Sequence, residues 1–330
     1  MENKPVIADS FGRLFPYMRL SVTDICNFRC TYCLPNGYWK TDSASAFMEQ
    51  AEIVRLVRAF ASLGVWKIRL TGGEPTIRND FTDIVAVIRD IPGVRKLAFT
   101  TNGYKLPQRA QSYYDAGLRA INISIDSLTP DQFKKITGHD RLRDVLEGIQ
   151  KSFEVGFKDV KINTVLLKGL NDEELDHFID FVKDKPVSLR FIELMRTLDN
   201  QSYFNEHHLS GTIVKEKLLR RGWHLLPRED GAGPALEFKH PDSKGTIGLI
   251  APYSKDFCKS CNRLRVSAKG DLHLCLFGEG GYSLRDYLQS DDQIDELQEK
   301  ILHLMNFKRS AHFLHDDNSG VREHLASIGG

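Results

Sequence analysis

The chain has 330 residues, 41% of them hydrophobic and 27% charged, the composition of an ordinary globular protein with one large core or two modest ones. Forty-five Lys and Arg against 44 Asp and Glu leave a formal charge of +1, which excludes a surface given over wholly to nucleic acid or anionic membrane but not a local cluster of cations. Residues 1–12 carry no basic stretch leading into an apolar one, and no apolar run approaches the roughly 18 residues of a membrane helix. A cytoplasmic protein is therefore expected, with neither membrane nor nucleic acid as a partner. In a reducing compartment clustered cysteines more often bind metal than pair with each other. The cysteines here form two groups of three: Cys26, Cys30 and Cys33, then Cys258, Cys261 and Cys275.

In chain order, strands are predicted at Tyr17–Thr23, Trp66–Thr71, Lys96–Asn102, Ala120–Asp126, Asp159–Leu167 and Val187–Met195. Helical spacing lies between them, as in Ile53, Leu56, Val57 and Phe60, in Ile84, Val85 and Ile88, and in Leu142, Leu146 and Ile149. Thr129-Pro130 and Asn171-Asp172 read as helix starts with a capping side chain. Strand–helix repetition argues for a parallel sheet with right-handed crossovers. The strands are apolar on one side only. Arg19, Ser21 and Thr23 oppose Met18, Leu20 and Val22; Lys67, Arg69 and Thr71 oppose Trp66, Ile68 and Leu70; Asn122, Ser124 and Asp126 oppose Ile121, Ile123 and Ile125. Lys161 and Asn163 face away from Val160 and Ile162, and Arg190 faces away from Leu189 and Phe191. A sheet covered on both faces reads as nearly continuous apolar runs, and a closed barrel fills its interior with aliphatic layers. Neither pattern fits. The bland alternative is a sheet with one face in water, but it leaves the Arg and Lys on that face unexplained. The expectation is an α/β fold, an incomplete (β/α)6 TIM-type barrel whose polar face lines a wet cavity.

That barrel is expected to occupy residues 1–200, with a smaller α+β domain at 201–330 closing its open side. In the second part His208–Arg221 and Leu284–Phe307 read as helical, and Gly245–Pro252 and Arg263–Ser267 as short strands. Gly37–Met48 and Leu198–His207 read as loops.

Cys26-x3-Cys30-x2-Cys33 follows directly on the first strand. Three thiolates in one loop can hold three irons of a [4Fe–4S] cube and leave the fourth iron open. Zinc ordinarily wants four protein ligands, or three and water, and no nearby His completes such a set. This spacing, with Tyr32 before the last cysteine and Gly72-Gly73-Glu74-Pro75 after the second strand, resembles the radical S-adenosylmethionine (SAM) superfamily. The resemblance implies that SAM binds the open iron and yields a 5′-deoxyadenosyl radical.

Cys258-x2-Cys261-x13-Cys275 is, on spacing alone, also compatible with a zinc ribbon using His273, His303, His312 or His315 as fourth ligand. A zinc- or cluster-bearing nucleic-acid-binding protein is the distant alternative, and a radical SAM peptide maturase the nearer one. The companion sequence Cys261-Asn262-Arg263-Leu264-Arg265 and the ending Gly329-Gly330 resemble the GTP 3′,8-cyclase family of molybdenum-cofactor biosynthesis, over about Phe15 to Gly330. This implies a lyase with a second [4Fe–4S] cluster on Cys258, Cys261 and Cys275. By the same resemblance Arg19, Arg69, Thr100, Lys161, Arg263 and Arg265 contact GTP, and Tyr32, Gly73, Ser124 and Met195 contact SAM. Arg19, Arg263, Arg265, Gly329 and Gly330 then serve catalysis. Arg190 joins the GTP set from strand phase alone. Implied partners are an electron donor such as flavodoxin or ferredoxin, a downstream cyclic pyranopterin monophosphate synthase, and a second copy in a homodimer.

Overall fold

A computed structural model describes residues 6–38, 46–228, 232–314, 320–321 and 325–328. The six expected strands are present as β1 (Tyr17–Ser21), β2 (Lys67–Thr71), β3 (Lys96–Thr101), β4 (Ala120–Ser124), β5 (Asp159–Leu166) and β6 (Ser188–Glu193). They lie side by side in chain order and all run parallel. Between them stand α1 (Gln50–Ser62), α2 (Phe81–Arg89), α3 (Leu106–Ala116), α4 (Pro130–Thr137), α5 (Leu142–Glu154) and α6 (Leu175–Phe181). Ile53, Leu56 and Phe60 of α1, Ile84 and Ile88 of α2 and Val145 of α5 share one core with Leu20, Leu70, Phe99, Ile121, Ile162 and Leu189 of the strands. Tyr113 packs T-shaped against both Phe81 and Phe99, which are tilted to each other, with ring centroids 5.5–5.8 Å apart. The helices thus cover only the apolar face, and the polar face is left to line cavities. This is a partial TIM-type barrel.

The later part of the chain does more than cover an opening. After α7 (Gln201–His207) and α8 (Thr212–Arg220) come β7 (His224–Leu225), β8 (Leu236–Lys239), β9 (Thr246–Ile250), β10 (Arg263–Val266), β11 (Asp271–His273), β12 (Tyr282–Ser283) and α9 (Ile294–Met305). β9 pairs parallel with β6, and β10 pairs parallel with β1. The parallel sheet therefore gains a strand at each edge, and β11–β12 and β8–β7 extend it antiparallel. Among the described residues β12 and β7 remain edges, so the sheet does not close.

Several local expectations are corrected. Leu198–His207, read as a loop, contains α7, which buries none of its residues and so shows no apolar period. His208 ends α7, and the helix read from it begins only at Thr212. The run Leu284–Phe307 is broken by Ser290 and Gln293, which form a capping box just ahead of α9. Thr129 and Asn171 precede helical turns without capping them through their side chains. Asn171 instead donates to the carbonyls of Asp126 and Val165 and accepts from the Leu167 amide, tying down the end of β5.

Candidate active site

The first cysteine triple begins five residues past β1. Gly72 and Gly73 hold the approach to it. A Cβ on Gly72 would meet the Thr23 carbonyl oxygen at 2.3 Å, and one on Gly73 the Ile25 carbonyl oxygen at 2.3 Å. Only glycine permits that contact, and it lets the Gly73 and Glu74 amides donate to Thr23 and Ile25 at 3.0 and 2.8 Å. The Glu74 carboxylate is almost fully buried. It accepts from the hydroxyls of Thr76 (2.6 Å) and Thr101 (2.9 Å) and from the Asn102 amide (2.6 Å). Asn102 in turn donates to Asn27 in the cysteine loop at 2.9 Å. The far side of the loop rests on the end of α4, through Arg29 and Thr31 amides donating to Thr137 and Ile136.

All three cysteines face one cavity with Tyr32, Gly73, Thr100, Ser124, Asp126 and Met195. Burial pushes the Cys26 thiol up to about 11 and the Cys33 thiol to about 12, with Glu74 adding to the first and Cys26 to the second. Burial, then Asp126, raises Cys30 well above the ordinary thiol range. Three thiols this desolvated ionise together only against a bound cation. Among the described residues no three Cys, His, Asp or Glu donors gather tightly enough to hold a single ion. The donor set is three sulfurs from one loop with no His among the cavity's described lining residues. That chemistry fits a four-iron cluster with one iron left for another ligand. Beside it, the Tyr32 hydroxyl donates to Asp126 at 2.8 Å, and the Val165 amide donates to the other carboxylate oxygen at 2.8 Å. Burial still lifts Asp126 to about 6.

The second triple opens into an adjoining cavity. Strand pairing sets Arg19 opposite both Arg69 and Arg265, and Tyr17 opposite both Lys67 and Arg263. Lys161 and Arg190 face them from β5 and β6, and all these residues line the cavity with Cys258, Cys261 and Cys275. Asp159 is the sole carboxylate among the described lining residues; it pairs with Lys96 at 2.5 Å and also with Lys161. Arg190 is held by Glu237 at 2.7 Å. Like charges on neighbouring strands repel, and the side chains register it. Burial, then Arg265, pulls Arg19 down to about 9; burial, then Arg263, pulls Arg265 to about 10; burial, then Arg190, pulls Lys161 to about 6. At Tyr17 burial pushes upward, but Arg69, Arg19 and Lys67 outweigh it and bring the phenol to about 7. The Tyr17 hydroxyl accepts from Arg69 Nε at 2.6 Å. Buried Nε atoms of Arg190, Arg263 and Arg265 have no hydrogen-bond partner, and neither do the side-chain oxygens of Asn122 and Asn163. A cavity with this surplus of desolvated donors is built for a polyanion.

At the second triple burial raises the Cys258 thiol, whereas at Cys261 the same effect is outweighed by Lys308 and then Arg263, so that thiol lies below its ordinary range. Among the described residues, the zinc ligands considered from spacing do not assemble. The His312 ring bonds the Pro252 carbonyl at 2.9 Å while its backbone amide donates to Cys258 Sγ at 3.5 Å. His273 is bonded to the Gly280 carbonyl at 3.1 Å, His303 packs edge-on against Phe307, and His315 lies outside the described residues. Three thiolates with cations beside them again fit a cluster held by three protein ligands.

The two cavities share Asn163, Ile192 and Met195. Of residues 325–328, Leu325 and Ala326 line the first cavity, and Ile328 is fully buried in a cluster with Leu276, Phe277 and Met195. Gly329 and Gly330 lie outside the described residues. Of the residues expected around the triphosphate, Arg19, Arg69, Lys161, Arg190, Arg263 and Arg265 meet in the second cavity, whereas Thr100 lines the first. Tyr17, Lys67, Asn122, Asn163 and Asp126 also line these cavities without having been singled out. All but Tyr17 had been placed on the polar face by strand phase, and Tyr17 shares the parity of Arg19. Lys308, beside the second triple, had no signal in the sequence pattern.

Residues 20–182 match the Radical SAM superfamily, and residues 187–314 match the family described as Molybdenum Cofactor Synthesis C. The chain is 55% identical to a GTP 3′,8-cyclase of Stenotrophomonas maltophilia over 324 residues, 98% of this chain and 99% of that protein. It is 54% identical to a GTP 3′,8-cyclase of Yersinia pestis, again over 98% and 99% of the two chains. Among solved structures, SuiB of Streptococcus suis bound to S-adenosylmethionine aligns with a TM-score of 0.60 at 15% identity, over 87% of this chain and 68% of that one. At that identity the likeness concerns the fold.

Proposed function

We propose a reaction for this site from one premise: the chain belongs to the GTP 3′,8-cyclase family of radical SAM enzymes. As a member it uses SAM and two [4Fe–4S] clusters and converts GTP to (8S)-3′,8-cyclo-7,8-dihydroguanosine 5′-triphosphate. Cys26, Cys30 and Cys33 hold the first cluster, and Cys258, Cys261 and Cys275 the second. Bound in the first cavity, cluster and SAM together supply a 5′-deoxyadenosyl radical. Tyr32, Gly73, Ser124 and Met195 position SAM there. Arg19, Arg69, Lys161, Arg190, Arg263 and Arg265 take the triphosphate of GTP, and the second triple faces its guanine. Asn163, Ile192 and Met195, common to both cavities, mark where ribose meets adenosyl.

A hydrogen atom passes from C3′ of the ribose to the 5′-deoxyadenosyl radical, giving 5′-deoxyadenosine; the C3′ radical adds to guanine C8 at the expense of the C8–N7 π bond, and one electron from the external reductant with one proton at N7 completes the product. The chain's work is to hold sugar and base in register, which makes ring closure intramolecular, and to keep water away. Thr100 acts from the SAM side. Gly329 and Gly330 follow directly on the buried Ile328, which supports a tail that reaches the substrate and assists its turnover. The class is lyase, the compartment the cytoplasm, the reductant a flavodoxin or ferredoxin, and the product's consumer a cyclic pyranopterin monophosphate synthase. A homodimer fits the same family. Residues 1–200 act as the SAM-cleaving part and 201–330 as the part that presents guanine. Among the described residues no helix is long and apolar enough to cross a membrane.

The observation that carries this reading is a cavity of seven Lys and Arg side chains sharing a wall with a three-thiol cavity. Anaerobic incubation of the reduced, reconstituted chain with SAM and GTP should give 5′-deoxyadenosine and a cyclised guanine nucleotide. Iron near eight atoms per chain is expected, about four for each cube. Zinc without iron, or SAM turnover triggered by a peptide and indifferent to GTP, would sink the proposal.

A further inference from the structure

Lys308 is a lysine that the reaction above does not use. It lies three residues past α9 and is only 5% exposed. Its ammonium donates to the carbonyl of Leu274, the residue before Cys275, and stands 4.9 Å from the centre of the Phe15 ring. Among the described residues no carboxylate pairs with it. A buried ammonium without a carboxylate is costly, and the groups whose negative charge would offset the cost, once they serve as thiolate ligands, are Cys261 and Cys275. The relation is mutual, since Lys308 is the strongest single influence holding the Cys261 thiol down.

We propose that Lys308 is a built-in counter-charge for the second cluster, raising its reduction potential and helping the thiolates retain iron. The inference rests on the assignment of Cys258, Cys261 and Cys275 as cluster ligands. Cluster potentials follow net charge and hydrogen bonding around the sulfurs, and a fixed positive charge stabilises the more negative, reduced state. Lys308 is not among the described residues lining the arginine cavity, and its ammonium rests on the backbone carbonyl of Leu274, beside Cys275.

The test uses the full chain carrying Cys26→Ala, Cys30→Ala and Cys33→Ala, reconstituted anaerobically so that only the second cluster reports. Iron analysis comes first: about four irons per chain are expected, and none would overturn the ligand assignment together with this inference. Redox titration followed by electron paramagnetic resonance is then run with Lys308, Lys308→Met, Lys308→Gln and Lys308→Arg. The Met and Gln forms should titrate at more negative potential, with Arg restoring most of the difference. Gln keeps a donor for the Leu274 carbonyl without the charge. If Gln and Met retain iron at an unchanged potential, Lys308 only fastens the loop and the inference falls. If both neutral forms lose iron while Arg keeps it, the counter-charge is supported. Loss of iron from Arg as well would overturn it.

Discussion

The two triads use the same three-thiol donor set in opposite electrostatic surroundings. Around Cys26, Cys30 and Cys33 burial pushes every thiol upward, and the carboxylates of Glu74 and Asp126 add to it. In the second triad burial still raises Cys258, but at Cys261 it is outweighed by Lys308, Arg263 and Arg265, and that thiol is drawn downward. The first site faces a cavity whose charged described lining residues, the cysteines aside, are Asp126 and Glu193. The second faces the arginine cavity. What differs follows the charge of the expected guest: SAM carries a cationic sulfonium and amine, whereas GTP brings a polyanion. A shared donor set therefore does not imply a shared task. On the proposed reading, the neighbours decide which molecule meets the open iron.

The sharpest way to break this contrast is to remove one cysteine from each side. Cys30→Ala should abolish 5′-deoxyadenosine formation. Cys261→Ala should still cleave SAM while forming no cyclised nucleotide, because only the guanine end is damaged. Product analysis by liquid chromatography distinguishes them; equal loss of deoxyadenosine in both would mean that the two triads do not divide the work.

A smaller effect is expected from Arg263→Ala combined with Arg265→Ala. Each lost charge-assisted hydrogen bond is worth about 1.5–3 kcal/mol, or roughly ten- to a hundredfold in GTP affinity. SAM affinity should move little. Calorimetric titration with each ligand checks this, and a matching loss of SAM binding would refute the separation of the cavities.

The smallest expected effect is on pH dependence, and it sharpens the account of the second cavity. Without a bound anion, burial and Arg190 hold Lys161 near 6, well below its ordinary 10.5. A triphosphate favours the ammonium, so its folded, ligand-bound pKa rises and binding takes up a proton at any pH between the two values. Tyr17, near 7 in the empty cavity, works in the same direction, since an arriving anion returns its phenolate to phenol. GTP affinity should therefore fall as pH rises, by at most about tenfold per unit for each proton taken up. Calorimetry at pH 7.5–8.5 in buffers of different ionisation enthalpy measures the uptake, in a range where phosphate, with its second pKa about 6, is already ionised. Lys161→Arg should reduce it; unchanged uptake in that variant would assign the proton elsewhere.

Much of the fold and part of the site were legible beforehand, for a local reason. Side chains alternate across a strand with period two, so Arg19, Arg69, Lys161 and Arg190 declare a common polar face without knowledge of their neighbours. Cys26, Cys30 and Cys33 lie within one loop, and their spacing alone brings them together. Helix α7 stayed hidden because it buries nothing, and the break before α9 because its Ser290–Gln293 box sits inside a longer apolar period.

What sequence by itself determined is therefore what short-range geometry controls: the thiol groupings, the one-sided strands and the glycines beneath the first loop. Tertiary structure alone decided adjacency. Arg265 comes to lie beside Arg19 only because β10 joins the sheet next to β1, 246 residues away along the chain. The same pairing brings Cys261 to the arginines, while the wall common to both cavities comes from β5, β6 and the residues just after them. Strand order is chosen by packing of the whole core, not by any local run of residues, and so no local pattern could reveal it.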